Sequence, residues 1–274
     1  MTIIEQVLQF LASEMNKPIL YQDFSQSWFQ YLSLLLMIIL TVILVKHLKG
    51  ASVVKVRKYL FIFSIILITF EIYKQIIFTY QGGWNYQWYA FPFQFCSTPM
   101  YVALYASLTK NKKLREMMIA FLGTFGLFAG LAVMLYPVSV YVTTIGINIQ
   151  TMVHHGSMAA IGFALLATQI KLESKTIIKA APVFITLVFI ALILNLVHNT
   201  WIQDGTFNMF FINSIHNNDL PILNMIQPVV PYFIYLLVYT FGFTFVAYIV
   251  LLGGIFVKRI KQVKEYSSKY SRAS

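Results

Sequence analysis

Long apolar stretches separated by short polar connections run along the whole chain. A transmembrane helix needs about 17 to 25 apolar residues to cross a hydrocarbon core of about 30 Å, and seven segments meet that need. They are residues 28–45, 59–80, 92–108, 117–136, 145–169, 177–198 and 229–257. None alternates apolar and polar residues as a membrane β-strand does. The pattern predicts an all-α polytopic membrane bundle with seven transmembrane helices.

Composition supports the same class of protein. Hydrophobic residues make up 59% of the 274 positions and charged residues only 11%, which is too few for the surface of a soluble globular protein. The formal charge of +11 needs no nucleic acid to explain it, because basic residues are required near the cytoplasmic ends of membrane spans. We therefore expect no nucleic-acid partner.

The positions of the Lys and Arg residues predict the orientation. Of the 20, 18 lie in the first, third and fifth connections and in the C-terminal tail, and the others are Lys17 and Lys74. Basic residues next to spans stay cytoplasmic. The distribution predicts an N-terminus outside and a cytoplasmic C-terminus. The abundant Ile, Lys and Asn residues suggest a bacterial source and therefore a multi-pass protein of the plasma membrane.

The segments outside the bundle divide the chain into three parts. Residues 1–24 are predicted to contain an interfacial helix that starts at a capping box of Thr2 and Glu5. Residues 25–258 form the transmembrane domain. Residues 259–274 form a basic tail that is polar from residue 266 and is predicted to be disordered there.

Polar side chains concentrate in the predicted outer halves of four spans. An ionisable group at membrane depth costs several kcal/mol unless it faces a partner or water, so these residues predict a wet, outward-facing cavity. The candidate binding residues are Glu71, Lys74, Gln75, Gln94, Asn148, Asn195 and His198. Glu71 and Lys74 are also spaced to form an ion pair on one helix face. That pairing is as good an explanation for them as ligand binding.

Cys96 is the single cysteine, so it has no partner for an intramolecular disulfide. A lone buried cysteine is most often an inert apolar residue. Two neighbours favour reactivity: Pro99 is expected to open the helix beside the thiol, and the Gln94 amide is a candidate oxyanion donor, as is that of Asn195.

Histidine is the usual base for a nucleophilic thiol. His154, His155 and His198 lie at suitable depth, and the helical period does not choose between the first two. Hydrogen bonding between helices is the structural alternative, and we expect it for at least one of the three.

The connection formed by residues 199–228 is longer than most loops in compact folds, which suggests a function. It contains a cluster of apolar residues, Trp201, Phe207, Met209, Phe210, Phe211 and Ile212. We predict a lid or re-entrant segment over the cavity. The aromatic residues of another outer connection, which include Trp88, are typical of an interfacial belt.

The seven-span layout, the Phe93-Gln94-Phe95-Cys96-Ser97 sequence and the His154-His155 pair resemble the YwaF-type bacterial integral membrane protein family, which is related to mammalian transmembrane protein 164. The resemblance covers nearly the whole chain. The mammalian relative is described as a phospholipid acyltransferase that uses a cysteine and a histidine. The resemblance implies that Cys96 is the nucleophile and that His154 or His155 is the base.

The sequence therefore predicts a lipid acyltransferase or acyl hydrolase that acts on a phospholipid or lysophospholipid of the outer leaflet, without a metal or another cofactor. Lys74 is predicted to hold the head group, and Glu71 to orient a histidine or Lys74. A binding or transport protein for lipids or small solutes is the first alternative, although the inner halves of the spans show little of a polar path. A zinc-dependent lipid hydrolase is the second, but the chain lacks the spaced histidines of such enzymes.

Overall fold

The computed structural model describes residues 2–218 and 220–270, and within them the regular secondary structure is helical, apart from one isolated bridge between Glu14 and Thr144. Short 3₁₀ turns lie at Trp88–Ala90, Met209–Phe211 and Gln227–Val229. The α-helices are α1 (Ile3–Leu11), α2 (Phe24–Leu48), α3 (Val53–Gln81), α4 (Thr98–Leu108), α5 (Lys112–Phe121), α6 (Leu127–Leu135), α7 (Ile145–Thr168), α8 (Thr176–Val197), α9 (Leu223–Ile226) and α10 (Tyr232–Tyr270).

Five helical stretches in this part of the chain are long and apolar enough to cross a membrane. A helix rises 1.5 Å per residue, so a core of about 30 Å needs roughly 20 residues. The five are Phe24–Leu48, Val53–Gln81, Lys112–Leu135, Thr176–Ile202 and Tyr232–Ile260. They correspond to five of the predicted segments, and they make the chain an all-helical polytopic membrane protein.

The predicted third span is a shorter helix than expected. The sequence predicted a span over residues 92–108, but α4 begins at Thr98 and has 11 residues, which give it a length of about 17 Å. Pro99 explains the difference, because proline fits the first turn of a helix and disfavours a helical turn before it. The prediction that Pro99 opens the helix beside Cys96 was therefore wrong. The helix starts after Cys96 instead.

Helix α7 occupies the centre of the bundle. It is 24 residues long and 16 of them are buried, whereas α2, with 25 residues, buries four. It packs against α2, α3 and α6. Its polar side chains are consequently covered by protein, and they account for its absence from the apolar stretches above.

Close contact between α6 and α7 depends on glycine. A Cβ atom on Gly130 would lie 2.6 Å from the Ala159 nitrogen and 2.7 Å from the His155 oxygen. On the other side of the contact, a Cβ atom on Gly162 would lie 2.8 Å from the Leu122 oxygen. Leu122 begins the π-helical turn Leu122–Gly126 that joins α5 to α6. The two helices therefore approach at main-chain distance, next to the buried histidines of α7.

The connections between the helices lie at two opposite ends of the bundle. At the basic end, where the connections that follow α2, α4 and α7 meet, Arg57 Nε donates to the Ser107 oxygen (2.6 Å). Gln169 Nε2 donates to the Leu48 oxygen (2.6 Å) at the same end. At the opposite end, Gln81 Nε2 donates to the Thr144 hydroxyl (2.8 Å). Cys96 lies toward this opposite end.

The two terminal segments are both helical. The predicted capping box is present, since Thr2 N donates to Glu5 Oε2 (2.6 Å) and Glu5 N donates to Thr2 Oγ1 (3.2 Å). At the other end α10 continues to Tyr270, so the prediction of a disordered tail from residue 266 was wrong as far as Tyr270. Residues 271–274 lie outside the described part.

Candidate functional site

Cys96 lies in a tight turn immediately before α4. The Ser97 amide donates to the Gln94 oxygen (2.8 Å), and the Thr98 amide donates to the same oxygen (3.2 Å). The thiol is free and partly buried. A cysteine in this turn has its own main-chain carbonyl outside the hydrogen-bond ladder of the helix, so the carbonyl is open to a side-chain donor.

His154 supplies that donor. Its Nε2 lies 3.0 Å from the Cys96 main-chain oxygen. A carbonyl oxygen only accepts, so Nε2 carries the proton and Nδ1 presents a lone pair. That Nδ1 is buried and has no hydrogen-bond partner. The structure thus brings the lone cysteine next to one member of the histidine pair, and it identifies this member as His154.

His155 is held by its own helix. Its Nδ1 donates to the Thr151 oxygen (2.8 Å), so the lone pair is on Nε2. This nitrogen is also buried without a hydrogen-bond partner. The two imidazole centroids lie 5.5 Å apart. No hydrogen bond joins the Cys96 thiol to either imidazole within the described residues. The two imidazoles thus lie next to each other and to the Cys96 main chain, without a thiol–imidazole hydrogen bond in the described structure.

Glu71 and Lys74 form the predicted ion pair on α3, with Lys74 Nζ 2.8 Å from Glu71 Oε1. The Gln75 amide donates to the same oxygen (2.8 Å). The other oxygen, Glu71 Oε2, is buried without a partner. Both charges act electrostatically on the Cys96 thiol and on His155. The pair therefore belongs to the surroundings of Cys96, and Lys74 has its counter-charge within the protein.

Gln75 joins this cluster to the connection between α3 and α4. It donates to the Ala90 oxygen (2.6 Å) and accepts from the Tyr86 hydroxyl (2.8 Å). Burial raises the pKa of Tyr86 above its ordinary value of 10.0, and the nearby Glu71 carboxylate raises it further. The Tyr86 hydroxyl consequently stays a proton donor at neutral pH.

Two candidate residues have side-chain amide groups that already bind the main chain of residues 208–210. Asn195 accepts from the Met209 amide (2.9 Å) and donates to the Met209 oxygen (3.1 Å). Gln94 accepts from the Phe210 amide (3.0 Å) and donates to the Asn208 oxygen (2.9 Å). Neither amide points to an empty oxyanion position in this arrangement. Both hold a loop in place.

Asn148 makes the same kind of contact elsewhere. Its side chain accepts from the Val142 amide (3.0 Å) and donates to the Val142 oxygen (2.8 Å). Irregular backbone at membrane depth must have its N–H and C=O groups satisfied by protein. The three amide residues meet that requirement for the connections that border the site.

Part of the connection formed by residues 199–228 is buried in the bundle. We refer to residues 207–213 as the re-entrant segment. Phe207, Met209, Phe210 and Ile212 are at most 2% exposed, and Phe210 packs against Phe95 with ring centroids 5.7 Å apart. Phe210 also has a φ of +60°, which is unusual for a bulky residue. Trp201, by contrast, remains 77% exposed.

His198 is occupied at the same connection rather than at Cys96. Its Nε2 donates to the Asp204 oxygen (3.0 Å), and its ring stacks on Phe207 at a centroid distance of 4.4 Å. Trp88 Nε1 donates to the Asp204 carboxylate (3.1 Å). The Trp88 indole therefore joins two connections at the end of the bundle where Cys96 lies.

Sequence reasoning missed an asparagine network that shapes the re-entrant segment. Asn208 Oδ1 accepts from the Asn213 amide (2.8 Å), and Asn213 Nδ2 donates to the Phe207 oxygen (2.6 Å). Asn218 donates to the Phe211 oxygen (3.2 Å). The high density of asparagine in residues 208–218 was the available indication, since asparagine readily bonds nearby main chain in turns.

Clusters of metal-ligating side chains are absent from the described part of the chain, residues 2–218 and 220–270. There, no three His, Cys, Asp or Glu side chains lie close enough together to hold an ion.

Comparison with protein families shows which family the chain resembles. Residues 23–252 match the sequence profile of the TMEM164 family, and this range includes every candidate residue described above. Neither a search of curated proteins nor a search of solved structures found a match.

Proposed function

The chain belongs to the TMEM164 family of membrane proteins, and we propose on this basis that it is an acyltransferase or acyl hydrolase acting on membrane phospholipid. The observation that carries the proposal is the contact of His154 Nε2 with the Cys96 main-chain oxygen at 3.0 Å. It places the residue that carries the free thiol next to a histidine with an unpartnered ring nitrogen. Cysteine nucleophilic catalysis requires a thiol and a nearby general base, and a neutral imidazole can be that base.

The proposed reaction has two halves. The Cys96 thiol gives its proton to His154, and its sulfur attacks the ester carbonyl of a phospholipid. The ester C–O bond breaks, the acyl group remains on sulfur as a thioester, and the leaving alkoxide takes the proton from the imidazolium. In the second half, a lysolipid or water gives its proton to His154 and attacks the thioester, the C–S bond breaks, and the leaving thiolate takes the proton from the imidazolium.

His154 needs its other tautomer for this role. In the observed arrangement Nε2–H donates to the Cys96 carbonyl, so Nε2 has no lone pair for the thiol proton. Moving the ring proton to Nδ1 leaves Nε2 as the acceptor, and a rotation of the Cys96 side chain then brings the thiol to it. Nδ1 has no hydrogen-bond partner in the described residues, so this change needs an acceptor for the new Nδ1–H from the bound substrate or from a shift of the neighbouring side chains. His155, whose Nε2 is also free, is the second candidate for the base.

The supporting residues receive roles from their contacts. Lys74, held by Glu71 and 17% exposed at its side chain, is proposed to attract the phosphate of the lipid, and Gln75 fixes Glu71. Gln94 and Asn195 become available as oxyanion donors only when the re-entrant segment moves away from them. The contacts of Asn148 and His198 with the outer connections give these two residues positioning roles.

We also propose a full topology, based on the helices and on the distribution of charge. Helix α7 and the turn with α4 complete seven passages, with the N-terminus outside and the basic end in the cytoplasm of a bacterial plasma membrane. The distribution of Lys and Arg supports this orientation. Fusions of alkaline phosphatase and of green fluorescent protein at residues 50, 111 and 172 should be fluorescent and lack phosphatase activity. Phosphatase activity at those positions would reverse the orientation.

The test of the acyl-transfer proposal is intact-protein mass spectrometry after incubation with phospholipid. Wild type is compared with Cys96→Ser, Cys96→Ala and the neighbouring control Ser97→Ala. We expect an acyl adduct that hydroxylamine removes in wild type and in Ser97→Ala, and none in the Cys96 variants. An equal thermal unfolding temperature of all four proteins excludes misfolding as the cause.

A lipid-binding protein without covalent chemistry is the second candidate. The observation that favours it is the lack of a hydrogen bond between the Cys96 thiol and either imidazole in the described structure. Intact lipid that co-purifies equally with wild type and both Cys96 variants, without any adduct, would support this candidate and overturn the acyl-transfer proposal.

A further inference from the structure

Two cavities adjoin each other at the basic end, between α8 and α10. The first, of about 420 Å³, is an apolar groove formed by Ile177, Ile178, Phe241, Phe245 and Tyr248. Its aromatic side chains face outward, since Phe241 is 69% exposed and Phe245 63% exposed. Within a membrane such a surface faces lipid. The groove is therefore open to an acyl chain of the bilayer.

The second cavity, of about 480 Å³, has the opposite chemistry. Its charged lining consists of Lys175, Lys258, Arg259 and Glu173, which is three cations against one carboxylate. Ser174 and Lys175 line both cavities, so the apolar groove borders the basic pocket. Side by side, the two offer an apolar surface and a cationic surface.

The position of the charges along α10 matches the edge of a membrane. Phe241 and Phe245 lie within the apolar stretch Tyr232–Ile260, and the first charged residues of α10 are Lys258 and Arg259. A lipid whose chain lies beside Phe245 has its phosphate at the level where these cations begin. Basic pockets between helices at the cytoplasmic surface recognise anionic head groups in this way.

We propose that these two adjoining cavities together bind one anionic phospholipid, with an acyl chain in the apolar groove and the phosphate in the basic pocket. A neutral lipid leaves the excess of cations uncompensated. A soluble phosphate ion leaves the groove unfilled. Only a lipid with a net negative head group satisfies both parts.

The site is separate from the one around Cys96. Lys175 precedes α8, whereas Asn195, near the other end of α8, binds the re-entrant segment. At 1.5 Å per residue, the two positions lie about 30 Å apart along the helix. Lipid binding at the basic end can therefore be tested independently of acyl transfer at Cys96.

The test measures lipid binding by native mass spectrometry of the full chain in a neutral detergent. Phosphatidylglycerol and phosphatidylcholine with the same acyl chains are titrated separately. Wild type should bind one phosphatidylglycerol at least roughly tenfold more tightly than phosphatidylcholine, and the variant Lys175→Gln/Lys258→Gln/Arg259→Gln should lose that preference. Phe245→Ala should weaken the binding of phosphatidylglycerol, while Phe233→Ala, at the other end of α10, should not.

A charge-matched control separates a site from general attraction. The variant Lys110→Gln/Lys112→Gln/Lys113→Gln removes three exposed cations from the same end but away from the groove, and it should bind both lipids like wild type. An equal loss in this control overturns the proposal. So does an absence of preference in wild type, or displacement of the lipid by glycerol 3-phosphate, which would mean that the head group alone binds. Matching unfolding temperatures of the variants confirm that all are folded.

Discussion

His154 binds the main chain of Cys96 rather than its thiol, through the 3.0 Å contact between Nε2 and the carbonyl oxygen. The histidine thereby fixes the turn that presents the sulfur. This gives His154 two separable tasks, one in holding the turn and one in accepting a proton. Substitutions that keep the first and remove the second should distinguish them.

Glutamine at position 154 makes this separation. A glutamine amide can still donate to the Cys96 carbonyl, but it cannot accept and release a proton at neutral pH. We expect His154→Gln to fold like wild type and to form the acyl adduct at least about 100-fold more slowly. His154→Ala should in addition lose about 1–3 kcal/mol of unfolding free energy, because the carbonyl loses its partner. Adduct formation over time and thermal unfolding are the measurements.

His155→Gln is the matched control, since His155 is the next residue and is similarly buried. We expect adduct formation much closer to wild type. If His155→Gln stops the reaction and His154→Gln does not, the base is His155 and the assignment made above is wrong.

The Asn195 side chain should be essential for the re-entrant segment. Asn195→Leu leaves the buried amide and oxygen of Met209 without partners, and each such group costs about 1–3 kcal/mol. We expect a lower unfolding temperature and faster proteolysis within residues 203–218. The exposed Gln203, which bonds only local main-chain oxygens, provides the control Gln203→Leu. Equal proteolysis of the two variants would contradict the role of Asn195.

The distances at Gly130 predict a large effect of one added methyl group. Gly130→Ala places Cβ against the main chain of Ala159 and of residue 155, and main chain cannot rotate away as a side chain can. We expect a loss of about 1–3 kcal/mol in unfolding free energy. Gly242→Ala is the matched control, because a Cβ atom at Gly242 meets nothing within 4 Å. It should stabilise the helix by up to about 1 kcal/mol.

Glu71 and Lys74 should be coupled in a double-mutant cycle. Removing one partner leaves the other charge unpaired in a poorly solvated position, which costs about 3–5 kcal/mol. We therefore expect Glu71→Gln and Lys74→Gln each to lower stability strongly, and the double variant to lose less than the sum. Denaturant unfolding in a neutral detergent measures the cycle. Additive losses would show that the two charges do not stabilise each other.

Local rules explain what could be predicted from the sequence. The five apolar stretches, the capping box of α1 and the ion pair of Glu71 with Lys74 all depend on residues within about one helical turn or on the composition of a single segment. The start of α4 also follows a local rule, namely that proline fits a first turn. The sequence interpretation erred there because it gave the apolar run of residues 92–108 more weight than Pro99.

The contacts of the candidate site depend on residues far apart in the chain. Cys96 meets His154, and Gln94 meets Phe210, across many intervening residues. Helical periodicity gave the depth of each polar side chain but not its direction or its partner. Depth alone therefore suggested that Asn195, Gln94 and Asn148 face one cavity, whereas their amides bind two stretches of main chain, residues 208–210 and Val142.

The contacts between α10 and the re-entrant segment also set an order for biosynthesis. Tyr235 donates to the Phe211 oxygen (2.9 Å), and Tyr232 donates to the Ile212 oxygen (2.5 Å). The ribosome produces these tyrosines only after the segment they hold. Newly made chains should therefore pass through a stage in which the re-entrant segment contacts the helices made before it but not yet α10. The contacts with α10 form when α10 joins the bundle. Chains stalled before residue 232 should be cleaved by protease within the segment, and chains released after residue 260 should resist.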